Sequence, residues 1–227
     1  MLLALDTATT TMSIALHDGQ SLLAEQTWPS DNQHTVELAP ALEKLLAYCG
    51  QTVANLTALA CATGPGSYTG LRIGVAFAKG LASARKLPLI GVSTLDILAA
   101  AQPNYQNTLI VVVTAGRGRV AVARYQWRKG KWVSRGEPQL MNWATLFASV
   151  DGPAHLTGEV SAEGYEKWKT AQANGIPVSL VSAGHRLRRA GFLAEEAWAR
   201  YQAADQTGFD AAQVTPFYIK TQDVPQN

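Results

Sequence analysis

Gly64-Pro65-Gly66-Ser67-Tyr68-Thr69-Gly70-Leu71-Arg72-Ile73-Gly74 joins two segments of opposite character. Before it, Leu56 to Thr63 is short and apolar, as a buried strand is; after it, Leu71 to Ala84 has the composition of a helix. Pro65-Gly66 is a turn pair, and Ser67 and Thr69 are N-cap residue types, so the segment predicts strand, tight turn, helix. Two glycines, Gly74 and Gly80, then fall inside that helix, where each costs about 1 kcal/mol relative to alanine. Small residues recur at helical spacing in two stripes, Gly70, Gly74, Ala78 and Ala76, Gly80, Ala84. The pattern predicts close approach of other backbone: the chain's own sheet on one face, a partner on the other, with Gly74 as the point of partner contact.

The loop matches neither common phosphate-binding fingerprint. A P-loop ends in Gly-Lys-Ser/Thr, whereas Gly70 is followed by Leu71 and Arg72. A dinucleotide loop needs G-x-G-x-x-G, whereas Gly64, Gly66 and Gly70 give G-x-G-x-x-x-G, and roughly twenty residues on stands Arg85-Lys86 in place of an acid. What survives is generic: free N–H groups at a helix start, with Arg72 nearby, can hold an anion.

With 227 residues, 47% of them apolar, the chain can bury one large core or two small ones. No basic segment precedes the first apolar run, Asp6 interrupts it, and no stretch approaches roughly eighteen apolar residues; a cytoplasmic protein with neither secretion signal nor membrane span is expected. Cys49 and Cys61 have no metal or redox spacing and read as core residues in a reducing compartment. The four histidines and the serines show no G-x-S-x-G nucleophile arrangement, which leaves a peptidase unsupported.

Net charge is only +2, yet residues 1–103 carry five bases and seven acids while residues 104–227 carry fourteen and ten. Seven bases and no acid lie between Gly116 and Gly136: Arg117, Arg119, Arg124, Arg128, Lys129, Lys131 and Arg135, interleaved with Tyr125, Trp127 and Trp132. Such a run reads as a solvated hairpin whose edges need charge, with Arg128-Lys129-Gly130-Lys131 as its turn. Basic plus aromatic residues also suit a single-stranded nucleic-acid surface.

In chain order, Met1 to Asp6, Ser13 to His17 and Leu22 to Thr27 read as an antiparallel meander with its turn at Asp18-Gly19. A helix capped by Asp31 or Asn32 follows, with Leu38, Leu42, Leu45, Leu46 and Cys49 on one face, Gly50 past its end, and Pro40 forcing a late start or a kink. After the glycine loop and its helix come a strand at Leu89 to Val92 and a helix to about Gln102. Beyond a seam at Pro103-Asn104 the order begins again, with strands at Leu109 to Thr114, Val120 to Trp127 and Lys131 to Ser134. Helices at Trp143 to Val150, Ala162 to Ala173 and Arg188 to Ala203 then alternate with short strands. The expected fold is α/β: two tandem ribonuclease H-like halves of the actin-like ATPase superfamily, residues 1–103 and 104–227, each a mixed sheet flanked by helices.

In that superfamily each half supplies a phosphate loop from its first hairpin, beginning with an aspartate. Asp6, Thr7 and Thr9 fit such a loop, as part of a weak ATP or ADP site with magnesium; alternatively Asp6 ends a strand and bonds its own turn. The matching position in the second half is Thr114, followed by Ala115-Gly116, so the second carboxylate is missing there.

Four segments carry a resemblance: GPGSYTGLRIG at Gly64 to Gly74, Asp6-Thr7-Ala8-Thr9, Gly91-Val92-Ser93-Thr94-Leu95, and Pro216-Phe217-Tyr218-Ile219-Lys220. Together they resemble the bacterial family of tRNA threonylcarbamoyladenosine biosynthesis proteins called TsaB or YeaZ. The resemblance implies a non-catalytic member of the actin-like superfamily. It would pair with its catalytic paralogue TsaD and recruit the small ATPase TsaE to place threonylcarbamoyl on adenosine 37 of tRNAs, reaching tRNA through the complex and forming a homodimer when alone. It also implies that the helices before and after the glycine loop meet a partner, here through Leu38, Leu42, Gly70, Arg72, Gly74, Phe77, Ala78 and Leu81. TsaD-type chains hold a metal with two histidines four apart; here His34 is followed at that spacing by Leu38, so no metal site is expected. The family's Asp-Ala-Arg triplet at the start of the second half is replaced by Thr114-Ala115-Gly116, with Arg119 where an acid is usual. An ATP-dependent small-molecule kinase of the same fold is the competing expectation, and Thr114 weighs against it.

Overall fold

The computed structural model describes residues 1–30, 33–116, 118–204 and 208–219. The expected caps Asp31 and Asn32, together with Arg117 and Lys220, lie outside them. Two mixed sheets are present. The first takes β1 (Leu2–Asp6), β2 (Thr11–His17), β3 (Leu22–Pro29), β4 (Ala58–Gly64) and β5 (Leu89–Ser93) in the order β3-β2-β1-β4-β5. The second takes β6 (Thr108–Thr114), β7 (Val120–Arg128), β8 (Lys131–Ser134), β10 (Ala154–Gly158) and β11 (Val178–Leu180) in the order β11-β10-β6-β7-β8, with β9 (Gln139–Met141) paired to β7. Read from its own first strand, each sheet has the same order, three antiparallel strands followed by two parallel ones on the other side. The duplication expected from the element order is therefore a duplication of topology.

It extends to residues. Thr63-Gly64-x-x-Ser67-x-x-Gly70 after β4 recurs as Thr157-Gly158-x-x-Ser161-x-x-Gly164 after β10. Gly64 and Gly158 both sit at left-handed φ, +114° and +103°, where side chains are rarely tolerated. Ser67 and Ser161 are both N-caps, each accepting the N–H of the glycine three residues on at 3.2 Å. Those caps start α2 (Tyr68–Arg85) and α5 (Ala162–Ala173).

Helices fill three layers around the two sheets, five layers in all. On one face of the first sheet lie α1 (His34–Tyr48) and α2. The apolar positions of α1, Leu38, Leu42, Leu45 and Leu46, recur at three- and four-residue spacing and are buried against β1, β2 and β4, and the helix runs through Pro40. On the outer face of the second sheet lie α4 (Trp143–Ala148) and α5. The middle layer is an exchange: α3 (Thr94–Ala100) follows the first sheet but packs Leu95, Leu98 and Ala99 on the second, whereas α7 (Ala190–Ala203) follows the second and packs Ala190, Leu193, Ala194 and Ala197 on the first. Residues 104–227 are thus not one spatial unit. The chain returns to the first half from Ala190 onward, and Ala211 and Val214 pack into its core. Polar groups direct that return. Nothing in its own segment caps α7, and the N–H groups of Ala190 and Gly191 are met across the fold by Ser13 Oγ (2.8 Å) and Glu25 Oε1 (2.7 Å). Arg189 pairs with the same Glu25 at 2.6 Å.

The two small-residue stripes of α2 separate cleanly. Gly70, Gly74 and Ala78 face inward, and a Cβ at Gly74 would overlap Thr7 Oγ1 while one at Gly70 would overlap Thr7 O. Gly74 is therefore an intramolecular packing residue, which corrects the expectation that it admits a partner helix. Ala76, Gly80 and Ala84 face outward, with nothing within 4 Å of a Cβ at Gly80. Thr7 cannot easily yield, because its hydroxyl donates to Gly70 O at 2.7 Å. Gly74→Ala is expected to lower the melting temperature, overpacking of about 1–3 kcal/mol outweighing about 1 kcal/mol of helix propensity, while Gly80→Ala raises it. Thermal denaturation of the two variants beside wild type measures both signs.

Candidate functional site

β1 and β6 end at the same level, facing each other across a cleft of about 530 Å³. Its walls are Thr9 and Thr10 after β1, Gly66 to Tyr68 at the start of α2, Thr114 to Gly116 and Arg119 after β6, and Phe217 to Ile219 from the C-terminal segment. That segment is held by Phe217 N–H donating to Thr63 O at 2.7 Å and by Tyr218, whose ring centroid lies 5.2 Å from that of Tyr68. Arg72 in turn sits 3.8 Å over the Tyr68 ring.

At the cleft floor lies an ionic cluster, buried except at Glu159, which lines the cleft and is partly exposed. The Asp6 carboxylate is wholly inaccessible; its Oδ1 accepts the N–H of Ala8 at 2.9 Å and its Oδ2 accepts Nε of Arg188 at 2.6 Å. Arg188 Nη1 donates to Glu159 Oε1, and Nη2 donates to Thr9 Oγ1 (2.9 Å) and Thr11 O (3.0 Å). Glu159 closes the ring: Oε1 accepts the Thr9 hydroxyl at 2.5 Å and Oε2 the Thr114 N–H at 3.1 Å. Burial opposes the charge on Arg188, but Asp6 and Glu159 outweigh it and hold the guanidinium pKa above its usual value. One cation is thereby bound by an acid from each half of the molecule.

Of the loop residues Asp6, Thr7 and Thr9, Asp6 and Thr9 both meet Arg188, and Thr7 turns away to pack beneath α2. The second carboxylate, which the sequence lacks at Thr114, arrives from the end of β10 as Glu159. It stands at the position of Pro65 in the repeated T-G-x-x-S-x-x-G segment, and that repeat was the available signal for it. Arg188, 182 residues from Asp6, has no local signal.

These donors do not fit magnesium. The divalent ion needs carboxylate oxygens with free lone pairs and nearly octahedral surroundings. Here every oxygen of Asp6 and Glu159 faces an N–H or O–H donor, and a guanidinium lies between them. His34 is likewise structural, its Nε2 lying 2.8 Å from Thr9 O, and among the described residues no three His, Cys, Asp or Glu side chains group as metal ligands. Of the interface positions, Leu38, Leu42, Gly70, Gly74 and Ala78 are buried in the chain's own fold, Phe77 and Leu81 are half-buried, and Arg72 is exposed. Burial pushes the Cys61 thiol up to about 12, consistent with a core role, and Cys49 packs at the edge of the same core. Among the described residues no helix is long and apolar enough to cross a membrane.

Duplicated β3-β2-β1-β4-β5 sheets facing each other over a cleft define an actin-like ATPase fold. The activator of 2-hydroxyisocaproyl-CoA dehydratase from Clostridium difficile, solved with ADPNP, shares it at TM-score 0.52 and 11% identity, over 92% of this chain and 98% of that one. YeaZ from Pseudomonas aeruginosa is nearer, at TM-score 0.73 and 27% identity over 96% of this chain and 99% of that chain. The family model described as TsaD, tRNA N6-adenosine threonylcarbamoyltransferase, matches residues 22–206. Two proteins named tRNA threonylcarbamoyladenosine biosynthesis protein TsaB are similar in sequence. That of Bacillus subtilis is 34% identical over 69% of this chain and 70% of its own length, and that of Escherichia coli 39% identical over 55% and 54%. The chain belongs to the TsaB (YeaZ) family of tRNA threonylcarbamoyladenosine biosynthesis.

Removing one partner of the buried cluster leaves a charge uncompensated, at a cost of about 3–5 kcal/mol. Arg188→Met is expected to lower the melting temperature by about 6–20 °C, given roughly 2–4 °C per kcal/mol at this size. Adding Asp6→Asn and Glu159→Gln should recover much of that loss, since apolar or neutral replacement of a whole buried cluster is often close to neutral. Thermal denaturation of the single and triple variants checks both statements.

Proposed function

We propose that this chain is an accessory, non-catalytic subunit of the complex that forms threonylcarbamoyladenosine at position 37 of tRNAs, pairing with the catalytic paralogue TsaD and recruiting TsaE. The observation that carries the reading is the outward face of α1 and α2. Val36 and Tyr48 are 62% and 90% exposed there, Ala76, Gly80 and Ala84 form a bare small-residue stripe, and Ile73, Phe77 and Leu81 lie half-buried beside it. Between the helices runs a groove of about 400 Å³ lined by His34, Thr35, Leu38, Arg72, Ile73, Ala76 and Phe77. A helix pair with a small-residue stripe accepts another helix pair at the 8–10 Å separation of ridge-in-groove packing. A second copy of this chain would use the same face when TsaD is absent. The kinase alternative requires a carboxylate free to hold magnesium, and Asp6 is already bound by Arg188.

Gly80 separates folding from association. Gly80→Arg replaces a poor helix former by a good one with open space around it, so the isolated chain should melt at the wild-type temperature or higher. The long side chain on the bare stripe should abolish capture of TsaD in a pull-down. A Gly80→Arg chain that captures TsaD as wild type does would refute this interface.

A further inference from the structure

We infer that one face of the β7–β8 ribbon is a contact surface for the phosphate backbone of tRNA. The ribbon pairs Arg128 with Lys131, Trp127 with Trp132, Gln126 with Val133 and Tyr125 with Ser134, and Arg135 N–H extends the ladder to Arg124 O at 2.7 Å. Side chains alternate across a strand, so Arg124, Arg128, Lys131 and Arg135 all project from one face. They form two like-charge pairs directly opposite each other, with Gln126 and Val133 between. Like charges in that relation destabilise a ribbon, and a solvated edge needs no such arrangement. None of the four pairs with a carboxylate among the described residues. Arg128, Lys131 and Arg135 are exposed, and Lys129 at the turn adds a cation at the tip. An extended anion such as a phosphate backbone would offset this repulsion along the whole face.

The rings that the sequence interleaves with these cations lie on the opposite face and have structural work. Trp132 Nε1 donates to Gln102 O at 3.1 Å, its ring meets Trp127 edge-on and lies near Tyr105, and Tyr125 donates to Asp96 at 2.8 Å. Cations without a stacking platform contact phosphates; they position a nucleic acid and do not read its bases. That favours a folded RNA over an unstacked single strand. The choice of tRNA rests on the proposed membership of a tRNA-modifying complex; the anionic chemistry of the partner does not.

Arg124 is left in place for the test, because it also donates to Ser149 Oγ at 2.6 Å. The triple variant Arg128→Gln, Lys131→Gln, Arg135→Gln is compared with wild type, alone and reconstituted with TsaD and TsaE, by fluorescence anisotropy with labelled tRNA across a salt series. Each lost phosphate contact lowers the salt slope by about 0.7–0.9, so a decrease of about 2 and at least a tenfold loss of affinity near 0.1 M salt are expected. The melting temperature should stay level or rise, as the repulsion is relieved, and capture of TsaD and TsaE should be unchanged. An unaltered affinity and slope would overturn the inference. So would loss of TsaD or TsaE capture with tRNA binding intact, which would make the face a docking site for an acidic protein. If the wild-type chain captures neither partner yet binds tRNA through these residues, the surface assignment stands and the proposed complex fails.

Discussion

Arg188 holds the molecule together at the point where its two halves face each other. Asp6 ends the first strand of one sheet, Glu159 follows β10 of the other, and both reach the same guanidinium. Neither acid could be left buried alone, and Arg188 could not be buried without both. The cluster also fixes the start of α7. Arg188 directly precedes Arg189, Ala190 and Gly191, whose contacts with Glu25 and Ser13 steer that helix onto the first sheet. The loop after β1, through Thr9 and Thr11, and the start of α7 are both anchored at this cluster.

In an actin-like enzyme the space between the two strand ends belongs to a metal and a phosphate chain. Here the guanidinium of Arg188 lies between the acids Asp6 and Glu159. That ion-pair cluster links the two halves through the chain's own side chains. The two surfaces proposed above, the outward stripe of α2 and the cation face of the β7–β8 ribbon, both lie outside the cleft.

Much of this was legible in the sequence, because the signals were local. Periodicity placed the strands and long helices, the turn pair Pro65-Gly66 and the cap Ser67 placed the start of α2, and the repeated element order implied the duplicated fold. What was not legible depends on which surfaces meet. Two stripes of small residues look alike from sequence, and only packing shows that Gly74 faces Thr7 while Gly80 faces outward. The apolar face of α7 does not say which sheet it covers. Arg188 reads as one more base beside Arg186 and Arg189. Glu159 could have been found, since T-G-x-x-S-x-x-G occurs in both halves at equivalent strand ends, but the motif is too degenerate to stand out before the strands are aligned.

If Arg188 holds the acids that a magnesium–nucleotide complex would need, the melting temperature of the wild-type chain should be the same with ATP plus magnesium as with ATP plus chelator, at nucleotide concentrations up to the millimolar range. A ligand at a hundred times its dissociation constant stabilises by about 2.7 kcal/mol, or roughly 5–10 °C for a chain of this size. With Asp6 and Glu159 committed to Arg188, no magnesium-specific shift is expected. A shift of several degrees that appears only when magnesium is present would show that the carboxylates are free to bind it, and would contradict the account.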